Sequence, residues 1–465
     1  MKSHRILFFL IAVVALLALL CAVIPADGIK IGRATLRFPS FGKIMVREEQ
    51  FDLDAYLAEQ QRLQDSIARV IADSNDYYLA LLADSNTRFW LPGDAPGFFD
   101  SLFVLMENAQ AEGRTVRVLH YGDSQIEMDH ITSQLRATLQ HAFGGGGPGL
   151  LPLEGFTPVT AAQVWASGSY TKLSSFGDST VSRSSGNYGP MMQCHRLSGL
   201  VSAGIKPSVR NEADSLLRLI DRVRVLFNCR GSSFSASLSV PSLGYSESRY
   251  TETVGVQDFD FKLDSCANRL KLQYNGNVDF YGLMADYGHG VAVDNIPMRG
   301  CSGHQFRGVS RELLRQAYDR MDVAMIIMQF GGNAVPYLRD ESAIAQYCHE
   351  MGQQIDYVRE CSPYATILFV GPSDMTATAG ESWHTHKQLP LIVSCLRDTV
   401  TAHGAAYWSI YHAMGGWDSM KSWVKSGYAG KDYMHFTQKG ADVMGDCLAE
   451  ALMRQYDYYR FRHRH

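Results

Sequence analysis

The alternation of apolar and polar positions divides the chain into stretches of distinct texture. Residues 6–24 are unbroken apolar. Residues 47–84, REEQFDLDAYLAEQQRLQDSIARVIADSNDYYLALLAD, are rich in helix formers, with Leu57, Leu63, Ile67, Val70 and Ile71 at helical spacing, and predict one or two amphipathic helices. These either form a stalk that lifts the main domain off a membrane or pack against that domain, and no chemistry depends on the choice.

Another helical stretch, 96–112, leads into RTVRVLHYGDS, a short β-prone run that ends at Gly122-Asp123-Ser124. The next residues, QIEMDHITSQLRATLQHAF, put Ile126, Ile131, Leu135 and Leu139 at helical spacing and stop at GGGGPG, residues 144–149. Strand, tight turn and helix in that order present a side chain at the C-terminal edge of a parallel sheet, with Ser124 in the turn.

Between about 160 and 285 the pattern changes to alternating, β-branched or aromatic runs such as DRVRVLFNCRGSSFSASLSV and NRLKLQYNGNVDFYGLMADY, separated by Gly, Asn and Ser turns. Short strands at that spacing predict an all-β sandwich. From Val291 the texture reverts: VAVDNI, VAMIIMQFGGN and ATILFVGPS read as strands, and RELLRQAYDRM and AIAQYCHEMGQQIDYVRECS as helices. Strands alternating with helices mean βαβ units and a parallel sheet, so the β segment is inserted into an α/β domain.

The first apolar run stands apart from this fold. Lys2, His4 and Arg5 precede it, which places the N-terminus in the cytoplasm and the remainder across a membrane. Its 19 residues suffice for a bilayer core of about 30 Å, favouring an uncleaved anchor. Cleavage after Ala26 is the rival; lipidation of Cys21 is the weakest alternative, because Leu20 stands where a small residue is wanted.

A net charge of -4 with 19% charged residues lacks the basic excess that neutralises phosphates, so nucleic acid is not expected as a partner. Export permits disulfides, and the eight cysteines beyond Cys21 suit buried thiols with one or two bridges. They form no C-x-x-C pair or Cys/His cluster, so no zinc site is expected. GGGGPG lacks the Gly-Lys-Ser/Thr ending of a phosphate loop and reads as a helix stop and flexible loop near the site.

The triplet Gly-Asp-Ser occurs twice. Ser179 lies in a Ser/Gly/Thr-rich loop with no strand before it and no helix after it, so Ser124 is the candidate nucleophile. A serine needs a base to take its proton and donors for the oxyanion that forms. Gly300, in DNIPMRGCSG, and Asn333, in QFGGNAVPY, each follow a predicted strand and fall at the same sheet edge. Asp432 and His435, in GKDYMHFTQKG, precede a helix predicted over about 437–452; that Asp can accept Nδ1–H of the His while Nε2 faces the serine. His384, His386 and His412 are decoys, and the WHTH pair lacks a third ligand at metal spacing.

Gly-Asp-Ser, a lone Gly, GGN and Asp-x-x-His, in that order, resemble the SGNH (GDSL-like) hydrolases. The resemblance implies a three-layer α/β/α fold and acyl-transfer chemistry. Ser124 would then be the nucleophile, Asp432 the orienting acid and His435 the base. Gly300 and Asn333 would be oxyanion donors with the Ser124 N–H; Gly303, three residues from Gly300, competes for that place. The context HYGDSQIEMD, the interposed β segment and YGHGVAVDNIPMRG resemble more narrowly the bacterial peptidoglycan O-acetylesterases, which carry a carbohydrate-binding-like module. One departure stands out: Gln125 replaces the leucine that often follows the family's serine.

The implied organisation is a signal anchor over 1–26, a helical stalk over 27–85 and hydrolase segments over 86–160 and 286–455. A jelly-roll-like, carbohydrate-binding-like insert covers 161–285, and 456–465 is a solvated tail. The implied protein is an inner-membrane-anchored periplasmic, or exported, esterase that deacetylates a polysaccharide or peptidoglycan without metal or cofactor. An O-acetyltransferase using the same acetyl-serine, and a non-catalytic glycan-binding protein, remain open.

Overall fold

The computed structural model describes residues 3–25, 28–32, 34–37, 53–84, 86–155, 157–177, 183, 186–208, 213–379 and 382–463. Two compact units divide the chain, Met1–Asn75 and Asp76–His465. The first holds the helix Ser3–Val23, long and apolar enough to cross a membrane, and the antiparallel pair β1 (Ile29–Ile31) and β2 (Ala34–Leu36). One helix, Leu53–Leu82, spans much of the region predicted as one or two; the start of that prediction, 47–52, lies outside the described residues.

The second unit is built on a six-stranded sheet. Its strands are β3 (Phe89–Trp90), β4 (Thr115–Gly122), β12 (Gly290–Pro297), β13 (Val323–Gln329), β14 (Thr366–Gly371) and β17 (Ala406–Ser409), in the order β12-β4-β13-β14-β17-β3. All pair in parallel except β3, which lies antiparallel on β17. Between β14 and β17 the chain forms a small hairpin, β15 (Thr376–Ala379) with β16 (Ser382–Thr385). The mixed α/β class with a parallel sheet is therefore as expected.

Alternation along the strands supplies two cores. Val116, Val118, Met325, Ile327, Leu368 and Val370 pack with the helices Asp100–Asn108, Thr132–Phe143 and Gln438–Arg462. Leu119, Tyr121, Ile326, Met328, Ile367 and Phe369 pack with Arg311–Met321, Glu341–Cys361 and Leu389–Ala402. Covered on both faces, these strands read as near-continuous apolar runs. Polar Arg117 is tolerated inside β4 because its guanidinium reaches Asp294 at 2.8 Å and also pairs with Asp286.

Seven strands lie between β4 and β12 in the chain: β5 (Gly149–Leu151), β6 (Ala162–Ser174), β7 (Gln193–Pro207), β8 (Arg222–Val240), β9 (Tyr245–Thr251), β10 (Gly255–Lys262) and β11 (Leu270–Asp286). The expected sandwich of separate sheets is instead one antiparallel sheet bent over a single core, with β9 and β10 both on β8. Phe227 and Phe234 of β8 show the bend: their ring centroids are 4.5 Å apart. Seven residues of straight strand would separate them by about 23 Å. Register shifts at Gly276/Val278 and Phe280/Gly282 of β11 provide bulges of the kind that bend and twist a sheet.

Four further expectations are corrected. The helix expected directly after Ser124 begins only at Thr132, because Met128, Asp129 and Ile131 take left-handed φ values of 57°, 63° and 62°. Asp129 is held there by Arg136 at 2.6 and 2.9 Å. The GGGGPG run is a tightly packed crossover, not a flexible loop: a Cβ on Gly145 would lie 2.2 Å from the Val291 carbonyl oxygen, and one on Gly147 2.2 Å from that of Ala285. The tail is helical to Arg462, which pairs with Asp100, while Tyr78 stacks on Phe461 at 4.9 Å. All nine cysteines are free thiols, five of those beyond Cys21 being buried.

Candidate active site

Parallel register brings the ends of four strands to one edge: Gly122 is level with Pro297 on one side and Gln329 on the other, and Gln329 with Val370. The loops leaving that edge carry the chemistry, as open α/β sheets generally arrange it. Ser124 opens a short 3-10 turn, Ser124–Asp129, capped by Asp123, whose Oδ1 accepts the Gln125 N–H at 3.0 Å. Gly122 makes the fold-back possible, since a Cβ there would meet the Ile126 side chain and the Gln329 carbonyl at 3.0 and 3.2 Å.

The histidine arrives on the loop ahead of the helix Gln438–Arg462. Asp432 organises that loop: Oδ1 accepts the N–H groups of Met434 and His435 at 3.1 and 3.2 Å, and Oδ2 lies 2.8 Å from His435 Nδ1. Tyr433 turns the chain through a left-handed φ of 56°. His435 Nε2 then stands 2.8 Å from Ser124 Oγ. The three residues are thus in hydrogen-bonded series although the serine and histidine are 311 residues apart in sequence.

Burial would raise the Asp432 carboxyl, but hydrogen bonds from the His435 side chain and from the two backbone N–H groups outweigh it and hold the group below its ordinary value. Asp123 behaves oppositely. Fully enclosed, it is lifted by burial to about 6, against the pull of the Gln125 N–H, the His435 charge and the Asn333 amide.

Gly300 and Asn333 line the same cleft as Ser124, Asp432 and His435, a space of about 590 Å³ that also meets Gln125, Glu127, Met128, His130, Arg299 and Phe436. That volume suits a small-molecule ligand. Gly300 sits in a turn with φ 76°. Among the described residues, its N–H and that of Ser124 donate to no protein acceptor. Asn333 differs: its Nδ2 donates to Asp123 Oδ2 at 3.0 Å and to the Cys301 carbonyl at 3.1 Å, so both amide hydrogens are engaged. The rival glycine, Gly303, packs against Phe330 and Met351 and does not line the cleft.

Beneath the serine turn lies a buried polar group. His120 contacts Gln329 at 3.1 Å and Thr132 at 2.9 Å; Thr132 donates to Asn295, which donates to the Ile126 carbonyl. Burial lowers His120 to about 4, so it is neutral near pH 7. On the rim, Glu127 and Arg299 form a bidentate pair at 2.6 and 2.5 Å. Sequence reasoning does not find these groups; among the cleft's remaining residues it singles out only Gln125. The other candidate histidines lie elsewhere: His384 faces Asp418 at 2.9 Å and His412 faces Ser409 at 2.8 Å. Asp178 and Ser179 of the second triplet lie outside the described residues.

Fold and site together define a class: an α/β protein presenting serine, histidine and aspartate in hydrogen-bonded series at the C-terminal edge of a parallel sheet, an arrangement suited to acyl transfer. No protein-family model and no curated protein matches the chain. A solved structure of a peptidoglycan O-acetylesterase superposes with a TM-score of 0.63 at 20% identity, covering 80% of this chain and 99% of that one. Two family two carbohydrate esterases have TM-scores of only 0.26: one from Clostridium thermocellum in complex with cellohexaose (11% identity, 57% of this chain, 95% of that one) and one from Cellvibrio japonicus (10%, 64% and 98%). The chain shares the fold of the first of these structures.

Proposed function

We propose that this chain is an SGNH-type serine esterase that removes O-acetyl groups from a cell-envelope polysaccharide such as peptidoglycan. The observation that carries the reading is the unbroken Ser124–His435–Asp432 series, with both contacts at 2.8 Å, opening into the cleft. A shared fold with a peptidoglycan O-acetylesterase structure supports the choice of substrate.

In this reading His435 takes the Ser124 proton as Oγ attacks the acetyl carbonyl. Asp432 keeps the histidine proton on Nδ1, and the N–H groups of Ser124 and Gly300 receive the oxyanion. Asn333 joins them by exchanging one of its two present acceptors. The sugar hydroxyl leaves with the proton from His435, and water activated by the same residue releases acetate from Ser124. The bent sheet of β5–β11 is the glycan-holding insert within the α/β layers. The N-terminal helix is an anchor or signal that places the catalytic part in the periplasm.

The test is acetate release from p-nitrophenyl acetate, acetylated xylan and O-acetylated peptidoglycan by the full chain in detergent, beside Ser124→Ala and Ser179→Ala. Loss with Ser124→Ala alone is expected. A parent protein inactive on every ester would overturn the proposal.

A further inference from the structure

Gln125 occupies the position after the candidate nucleophile and is buried, 9% exposed. Both amide hydrogens and the amide oxygen are engaged across the sheet edge. Nε2 donates to the Met434 carbonyl at 2.8 Å and to Ser373 Oγ at 3.2 Å, while Oε1 accepts the Phe436 N–H at 3.3 Å. Met434 and Phe436 are the two neighbours of His435. A primary amide offers a donor and an acceptor side by side, as a peptide group does, so Gln125 grips the histidine loop much as a rung of neighbouring strand would. Ser373 belongs to the loop after β14, and the Gln125 N–H is tied to Asp123.

We infer that Gln125 is a positioning residue, clamping the His435 loop to the Ser124 turn and so fixing the distance between the two side chains. The inference rests on the proposal that Ser124 and His435 act on esters. A leucine of similar size can fill the space but has nothing to offer a carbonyl or an N–H. The Met434 and Phe436 groups would then be left to find other partners, and the loop would be free to shift. Displacements of the order of 1 Å in a reacting pair lower rates about 100-fold.

The test compares the parent, Gln125→Leu and Gln125→Glu in ester hydrolysis, with amide hydrogen exchange read over residues 434–437. Gln125→Leu is expected to lower kcat about 10- to 100-fold with KM within about threefold, and to speed exchange at Phe436. Gln125→Glu keeps the acceptor for Phe436 but sets a carboxylate against the Met434 carbonyl; protonated, it becomes a donor again. Its kcat relative to the parent is therefore expected to rise as pH falls. Asp123 and Glu127 on its own turn, Asp432 and His435 on the gripped loop, and Asp374 beside Ser373 are present in both proteins, so the ratio removes their common contribution.

Gln125→Leu with kcat within about twofold of the parent, or with a lowered kcat but unchanged exchange over 434–437, would overturn the clamp. Should Gln125→Leu fail to fold, a pH-independent ratio for Gln125→Glu does so. Were the parent inactive on every ester, the functional proposal would fall while the exchange comparison still decides the clamp.

Discussion

Asp432→Asn is the perturbation that most directly probes the chemistry. In the native loop Oδ1 receives two backbone N–H groups, at 3.1 and 3.2 Å, and Oδ2 receives His435 Nδ1–H at 2.8 Å. Asparagine has only one carbonyl oxygen, and the two fixed backbone donors claim it. Its NH₂ then faces Nδ1, which must give up its proton and accept. The ring proton moves to Nε2, 2.8 Å from Ser124 Oγ, where the base ought to be. The same inversion in serine proteases costs about 10⁴ in kcat.

Here the aspartate side chain is 52% exposed, so water relieves part of the penalty. We expect the lower end, a fall of about 10³ in kcat/KM, or about 4 kcal/mol at about 1.36 kcal/mol per tenfold. Asp432→Ala admits a water that can donate or accept, leaves the tautomer undecided and should lose only about 10², within the usual range for acid–base assistance. The ordering is the signature: asparagine worse than alanine. The assay is p-nitrophenyl acetate hydrolysis at pH 8, with melting temperatures confirming that both variants fold. Asp432→Asn within tenfold of the parent, or more active than Asp432→Ala, would refute the reasoning.

Two further outcomes follow from buried charge. Arg117→Met leaves Asp286 and Asp294 enclosed without their cation and should cost about 3–5 kcal/mol in urea unfolding; a loss under about 1 kcal/mol would show that the triad is relaxed or hydrated. Asp123, raised by burial to about 6 from 3.8, binds its proton more tightly folded than unfolded, so its contribution favours folding below about pH 4 and is lost as pH rises through about 6. Asp123→Asn removes that dependence; relative to the variant, the parent should lose about 2 kcal/mol between pH 4 and 7, and a constant difference across that range would sink the assignment.

Much of this was legible in the chain because periodicity follows burial. The strands Val323–Gln329 and Thr366–Gly371 are apolar throughout since both faces are covered, and the helix Arg311–Met321 falls where its 3.6-residue spacing puts it. Ser124, Asp432 and His435, which the structure brings into one hydrogen-bonded series, stood out as candidates because local rules place them: a glycine turn after a strand, and a carboxylate three residues before an imidazole.

What only the tertiary structure decided involves partners distant in sequence. Met128, Asp129 and Ile131 take positive φ where QIEMDHI reads as helix, with Arg136 holding Asp129 in place. The aromatic tail reads as solvated until Asp100 and Glu107 are brought to meet it. The two-sheet texture of β6–β11 became one sheet because bulges, which leave little trace in residue pattern, let a strand bend onto its own core. The motif's position makes Asn333 a candidate oxyanion donor, yet Asp123 and the Cys301 carbonyl hold its amide. Gln125 reads in sequence as a mere departure from the leucine of the resembled hydrolases until the loop 311 residues away closes on it. A sequence fixes which local conformations are cheap; hydrogen bonds across hundreds of residues exist only once the sheet has brought its loops to one edge.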